Sequence, residues 1–167
     1  MLFLTFLFFV CVLLCAGCQK NPKEVKNEIP DFYGFRTDVN TIVNDVNVSA
    51  NAEYTELDGF VITLTSPESV NGMIIKIKDN ECEILYHSLS FFVPVNSMPF
   101  DSLCVSLDGC AKNAKTAIYQ NGYFVYSYDG NTYNLHIDKE TKAFLKITAN
   151  ENEIITFENF QFLYGTD

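Results

Sequence analysis

The stretch Phe35-Arg36-Thr37-Asp38-Val39-Asn40-Thr41-Ile42-Val43 alternates apolar or β-branched residues with polar ones as far as Thr41. A period of two places every second side chain on the same face of a β-strand. Residues 46–54 repeat the alternation after Asn44-Asp45, a pair that favours a turn. The two segments therefore predict a pair of antiparallel strands with Phe35 and Val39 on one face.

Strand-like segments separated by turn residues continue along the chain, whereas residues 88–94 are predicted to leave the sheet. Strands joined by tight turns pair antiparallel, so the pattern predicts about ten antiparallel strands. The further segments are 60–65, 73–78, 82–87, 115–119, 123–128, 132–137, 143–148 and 153–157, followed by an apolar strip at 160–164.

One amphipathic helix interrupts the strands. Apolar residues recur at three- and four-residue spacing between Phe100 and Ala114, and Ser97 is a suitable N-cap. Gly109 costs roughly 1 kcal/mol relative to Ala inside a helix. The sequence leaves open whether the helix stops at Asp108 or continues.

A sheet of about ten strands must cover its apolar face, and large twisted sheets curl. We therefore predict an α+β, mainly β fold: a curved antiparallel sheet, or half-barrel, with one helix packed in its concave side. A two-sheet β-sandwich is the alternative. The inward residues form either a packed core or an apolar cavity for a ligand, and the sequence does not separate the two. These residues are Phe60, Ile62, Leu64, Ile75, Ile77, Ile84, Tyr86, Phe124, Tyr126, Leu135, Ile137, Leu145, Ile147 and Phe157 on strands, with Phe100, Leu103 and Leu107 on the helix.

The N-terminus is apolar from residue 1 to residue 14, apart from Thr5, and turns polar after Cys18. About 14 apolar residues are too few for the ~20 that span a bilayer, but they suit a secretory signal. The sequence up to Cys18 resembles the lipobox of bacterial lipoproteins, which implies cleavage before Cys18 and lipid, such as palmitate, on its thiol. An ordinary cleaved signal peptide and an uncleaved anchor are the alternatives. The lipobox residues are Leu14, Cys15, Ala16 and Gly17.

The predicted organisation is a signal peptide at 1–17, a lipidated N-terminus and polar tether at 18–32, and a half-barrel domain at 33–167. Removing 17 of the 167 residues leaves 150, which is enough for one domain with a sizeable core. The net charge of −10 argues against nucleic acid as a partner, because such binding requires basic patches. The lipid anchor predicts attachment to the extracytoplasmic face of the cell membrane.

The polar residues do not predict catalysis or metal binding. Cys82, Cys104 and Cys110 follow the lipobox, and this odd number suggests buried free thiols rather than a disulfide framework. His87 and His136 lie far apart in the sequence, and the chain has no Cys-x-x-Cys motif. The serines beside His87 would face away from it on a strand. We therefore expect no catalytic residue, no metal and no cofactor.

Four segments resemble the LolA/LolB/RseB-like superfamily of lipoproteins, and more closely small lipoproteins of this type from low-GC Gram-positive bacteria. They are Leu64-Thr65-Ser66-Pro67-Glu68-Ser69-Val70-Asn71-Gly72-Met73, residues 86–91, residues 133–142 and the closing strand 154–160. The resemblance implies a curved antiparallel sheet with a hydrophobic concavity. Better-known members bind lipoprotein acyl chains or sense envelope stress.

The expected function is that of a membrane-anchored, extracytoplasmic, non-enzymatic lipoprotein that binds a lipid, a lipidated protein or another apolar ligand in its concave sheet. The alternative is a surface module for protein–protein interaction, assembly or sensing, with a core filled by its own helix and an unknown protein partner. The two differ in whether the helix between Phe100 and Leu107 closes the concavity or leaves a dry pocket.

Overall fold

The computed structural model describes residues 29–79, 81–94 and 100–164. Within these residues, one α-helix, α1, spans Asp101–Asn113 between the sixth and seventh of eleven strands. The strands are β1 Gly34–Val43, β2 Val46–Thr55, β3 Gly59–Ser66, β4 Ile74–Lys78, β5 Glu81–Tyr86, β6 Leu89–Pro94, β7 Ile118–Gln120, β8 Tyr123–Tyr128, β9 Asn131–Ile137, β10 Phe144–Ala149 and β11 Asn152–Leu163. The lipobox, Cys18 and the predicted cap Ser97 lie outside the described residues.

All eleven strands belong to one antiparallel sheet in the order β6-β5-β4-β3-β2-β1-β11-β10-β9-β8-β7. The first and last strands meet in its middle, where Val39 pairs with Phe157. This open, curled sheet with one helix confirms the predicted half-barrel. The sandwich alternative is wrong, since the described strands form one sheet rather than two.

The prediction that residues 88–94 leave the sheet is wrong, because residues 89–94 form β6 and pair with β5 along its whole length. His87 has a φ of 53°, and this left-handed conformation turns the chain tightly enough for Leu89 to pair with Tyr86. This additional strand raises the count from about ten to eleven.

The paired strands at the start of the domain form as predicted. Asn44 and Asp45 have φ values of 50° and 64°, which suit a two-residue hairpin turn. Val43 pairs with Val46 directly across this turn. Phe35 and Val39 are buried on the inward face, whereas Ile42 is exposed on the other.

Aromatic rings fill the centre of the half-barrel. Phe35 lies 5.5 Å from Phe144 and 5.2 Å from Phe160, measured between ring centroids. Phe32 lies 5.9 Å from Phe35 and is only 3% exposed. The predicted boundary assigned Phe32 to the tether, but its side chain belongs to the core.

The helix continues through Gly109 to Asn113. Its apolar side, including Leu103 and Leu107, is fully buried, and it approaches β8 and β11 most closely. Cys104 and Cys110 are buried on the same side. The helix therefore occupies the part of the concave side next to β8 and β11.

Leu145, which was predicted to face inward, is 44% exposed. Phe144 pairs with Ile137 and Lys146 pairs with His136, so β10 accommodates one extra residue between the pairs. This β-bulge changes the alternation of faces. Phe144 and Ile147 are consequently both buried although they are three residues apart.

Candidate functional site

The inward side chains of the concave face are buried as far as β5 but exposed on β6. Ile62 and Ile75 are 0% exposed and Ile84 is 6% exposed, whereas Phe91 is 45% exposed. These side chains share one face, because directly paired residues of neighbouring strands point the same way. The row of pairs runs Thr37, Ala52, Ile62, Ile75, Ile84, Phe91. The inward surface is therefore apolar up to the sheet edge but uncovered at its last strand.

Three apolar side chains on the inward face of β6 form what we call the β6 strip: Leu89, Phe91 and Val93. They pair with Tyr86, Ile84 and Cys82 of β5, respectively. Leu89 is 66% exposed, and Val93 is half-buried against the core. Exposed neighbouring apolar side chains are typical of an interaction or ligand site.

The β6 strip has a firm border on its β5 side. The Tyr86 hydroxyl donates a hydrogen bond of 2.8 Å to the Ser69 carbonyl. Ser69 belongs to a 3-10 turn, Glu68–Val70, whose Val70 packs partly against the core. The tyrosine ring beside Leu89 is therefore held in place before any ligand arrives.

The outward face of β6 also exposes a large apolar side chain, Phe92. Phe92 is 71% exposed and, with Glu81, Val93 and Pro94, lines an open groove of about 500 Å³. β6 contributes large exposed side chains to both faces of the sheet edge, because Phe91 and Phe92 point in opposite directions. Substitutions of Phe91 and of Phe92 can thus test the two faces separately.

Most residues of the predicted apolar cavity lie in the packed core. Tyr86, Ile137 and Phe100 are half-buried, and Leu145 is on the outer surface. The others are buried: Phe60, Ile62, Leu64, Ile75, Ile77, Ile84, Leu103, Leu107, Phe124, Tyr126, Leu135, Ile147 and Phe157. The expectation that an apolar ligand enters among these buried side chains stays a prediction.

The helix side of the concavity is fastened by a polar cluster. Asp108 is 4% exposed and accepts a short hydrogen bond from the Tyr128 hydroxyl. Lys112 Nζ lies 2.8 Å from Asp108 Oδ2 and 5.8 Å from the centre of the Tyr128 ring. Burial, and then the hydrogen bond to Asp108, raise the pKa of Tyr128, so its hydroxyl stays a donor. These contacts attach α1 to β8 and favour a closed interior there.

The two histidines occupy separate structural positions. His87 is exposed in the β5–β6 turn, with its ring centroid 4.2 Å from that of Tyr86. His136 Nε2 lies 3.2 Å from Thr148 Oγ1, and burial lowers the pKa of His136.

Among residues 29–79, 81–94 and 100–164, no group of three or more His, Cys, Asp and Glu side chains is arranged to hold a metal. Nor does any helix in these ranges have the length and apolarity to cross a membrane.

A second groove, of about 470 Å³, lies on the outward face of the central strands, and most of the residues that line it are polar. Asp38 accepts hydrogen bonds from Asn51 at 2.6 Å and from Asn159 at 2.7 Å. Arg36 donates to Gln161 at 2.7 Å. These groups bind one another, so this groove is a less suitable apolar site than β6.

Sequence reasoning missed Leu89, Phe91 and Val93 because it placed them outside the sheet. The signal was present in Leu89-Ser90-Phe91-Phe92-Val93, an apolar run with strand-forming aromatic residues directly after a polar pair. His87-Ser88 has neither Gly nor Asn, so its tight turn was not recognised.

No family model matches this chain, and no curated protein matches it significantly. Among solved structures, an uncharacterised conserved protein from Thermus thermophilus is 12% identical, with 80% of each chain covered and a TM-score of 0.48. A LolA superfamily protein from Nitrosomonas europaea is 11% identical, with 84% of this chain and 90% of that chain covered and a TM-score of 0.40. At these values neither similarity carries an argument about function, which has to rest on the chain's own residues.

Proposed function

We propose that this chain is a lipid-anchored extracytoplasmic lipoprotein that binds an apolar group, from a lipid or a lipidated protein, and catalyses no reaction. The observation that carries the binding role is the uncovered end of the concave face. Ile84 is 6% exposed, but its partner Phe91 in the same inward row is 45% exposed. An acyl chain bound to the β6 strip would bury these exposed side chains, as the protein's own packing buries the inward side chains of the neighbouring strands.

The anchor is proposed from the sequence around Cys18. Ala16 and Gly17 give a peptidase an unhindered backbone, and the Cys18 thiol is a strong nucleophile for lipid transfer. Two or three acyl chains hold a soluble domain on a membrane more firmly than one chain. In a C18S variant we expect the protein to leave the membrane pellet and to lose the mass of the attached lipid. Equal membrane recovery of the C18S and wild-type chains would contradict the anchor.

The binding site is tested with adjacent residues on opposite faces of β6. We suggest native mass spectrometry of the secreted C18S chain, before and after organic extraction, with palmitate as the added probe. F91E places a charge on the inward face, whereas F92E places the same charge on the outward face. We expect F91E to weaken palmitate binding at least tenfold, which is about 1.4 kcal/mol, and F92E to stay within about twofold. A bare chain mass, with equally weak binding by all three proteins, would exclude this site.

A second candidate function is protein–protein interaction or assembly, and the state of α1 favours it. Asp108, Tyr128 and Lys112 fasten the helix to the sheet, so the interior beside it is packed. β6 is also a sheet edge with apolar side chains on both faces, which suits addition of a partner's strand. In that case F91E and F92E would both abolish cross-linking to a partner, and no lipid would accompany the purified chain.

A further inference from the structure

Three exposed side chains surround the point where the chain enters the domain. Tyr33, Leu57 and Tyr164 are 39%, 64% and 63% exposed, and we call them the rim patch. The Tyr33 N–H donates to the Leu163 carbonyl, and the Glu56 N–H donates to the Tyr33 carbonyl, both at 3.0 Å. Tyr164 follows Leu163 and Leu57 follows Glu56, so the three side chains arise from neighbouring backbone.

The carboxylates beside the rim patch share one cation. Lys115 Nζ lies 2.8 Å from Asp31 Oδ1 and 2.7 Å from Glu56 Oε1. It also lies 5.0 Å from the centre of the Phe32 ring. This cluster carries one negative charge instead of two. The whole chain carries −10, so charge attraction to an anionic surface is not expected, whereas tyrosine and leucine suit a zwitterionic one.

The rim patch is also at the end of the domain from which the predicted tether leaves. Thirteen residues, 19–31, separate Cys18 from Phe32, and they reach at most roughly 45 Å. β1 has ten residues and spans about 33 Å, so Asn44 and Asp45 lie at the opposite end. An anchor at Cys18 keeps the rim patch at a high effective concentration beside the lipid.

We propose that the rim patch rests on the zwitterionic lipid surface, with Leu57 among the acyl chains and the two tyrosines at the headgroups. This inference rests on the proposed lipid anchor. The Val93 end of the β6 strip then faces the membrane as well, because a row of directly paired residues places Val93 at the same end of the sheet as Phe35. That row is Phe35, Tyr54, Phe60, Ile77, Cys82 and Val93.

The chain has no tryptophan, so a single introduced indole reports its own surroundings. L57W tests the rim patch, and I42W is the matched control, since Ile42 is 67% exposed near the opposite end of β1. The full lipidated chain is reconstituted into vesicles of phosphatidylcholine with brominated acyl chains. We expect the L57W emission to fall at least twofold and to shift to the blue, while the I42W emission stays unchanged.

Quenching of both variants alike, or of neither, would overturn the orientation. Sedimentation of the same vesicles separates the two proposals: a chain that pellets without L57W quenching is anchored but oriented differently. A chain recovered only in the supernatant would overturn the anchor and this inference together. Loss of palmitate binding with intact L57W quenching would remove the binding role alone.

Discussion

At the scale of single residues, Gly109 combines two opposing effects. Alanine is favoured over glycine by roughly 1 kcal/mol inside a helix, but an added Cβ would lie 2.7 Å from Tyr128 Cδ1. The ring has little freedom to move because its hydroxyl is bonded to Asp108. Overpacking typically costs about 1–3 kcal/mol, so we expect G109A to lower the free energy of unfolding by about 1 kcal/mol in urea denaturation.

Tyr128 provides the control for this prediction. In a Y128A background the ring is absent, and G109A should then stabilise the protein through helix propensity alone. The double-mutant cycle therefore isolates the contact between Gly109 and Tyr128. If G109A has the same effect in both backgrounds, close packing of this ring is not the reason for glycine at this position.

At the scale of elements, the first described segment is fixed to the domain through Lys115. Its ion pairs with Asp31 and Glu56 are largely exposed, so they contribute little to global stability. They do hold the segment in which the Tyr33 backbone is hydrogen-bonded to Leu163 and Glu56. We expect K115M to leave the denaturation midpoint nearly unchanged but to speed hydrogen exchange at the amides of Tyr33 and Glu56.

K139M is the matched control for this local effect. Lys139 lies exposed in the turn between β9 and β10, so its replacement removes the same charge but leaves the ion pairs of Asp31 and Glu56 with Lys115 in place. Faster exchange at Tyr33 and Glu56 in both variants would indicate an effect of net charge. Unchanged exchange in K115M would mean that the backbone bonds hold the segment without Lys115.

Strand periodicity predicted most elements, because one buried face dictates alternation over a whole strand. It failed where a single residue changed the register. Leu145 was assigned inward because the bulge beside it has no marker in the sequence. Asn159, with a φ of 51°, sits in a second bulge that lets β11 continue to Leu163, where the sequence predicted a break after Phe157.

The candidate site was less predictable than the fold, for a physical reason. Alternation identifies which residues share a face, but it does not show which residues of that face are buried by the rest of the protein. Ile84 and Phe91 are both apolar and inward, and only the position of β6 at the sheet edge leaves Phe91 uncovered. Similarly, the apolar spacing of α1 predicted a buried face without revealing its attachment to β8 through Asp108.

At the scale of the whole molecule, the proposed ligand and the core should affect stability independently. A ligand that binds only the folded chain stabilises it by about 2.7 kcal/mol at 100 times its Kd. For palmitate we expect a rise in Tm of roughly 8 °C for a chain of this size. Phe91 is partly exposed at an edge, so F91E should keep the Tm of the free protein and lose this rise.

L103A provides the opposite comparison. Leu103 is a fully buried residue of α1, and truncation of such a side chain costs about 2–5 kcal/mol. We expect L103A to lower the Tm of the free protein and to retain the palmitate-dependent rise, because the β6 strip is unchanged. If F91E retains the rise and L103A loses it, palmitate binds beneath the helix, and the cavity predicted among the buried residues would replace the sheet edge as the site.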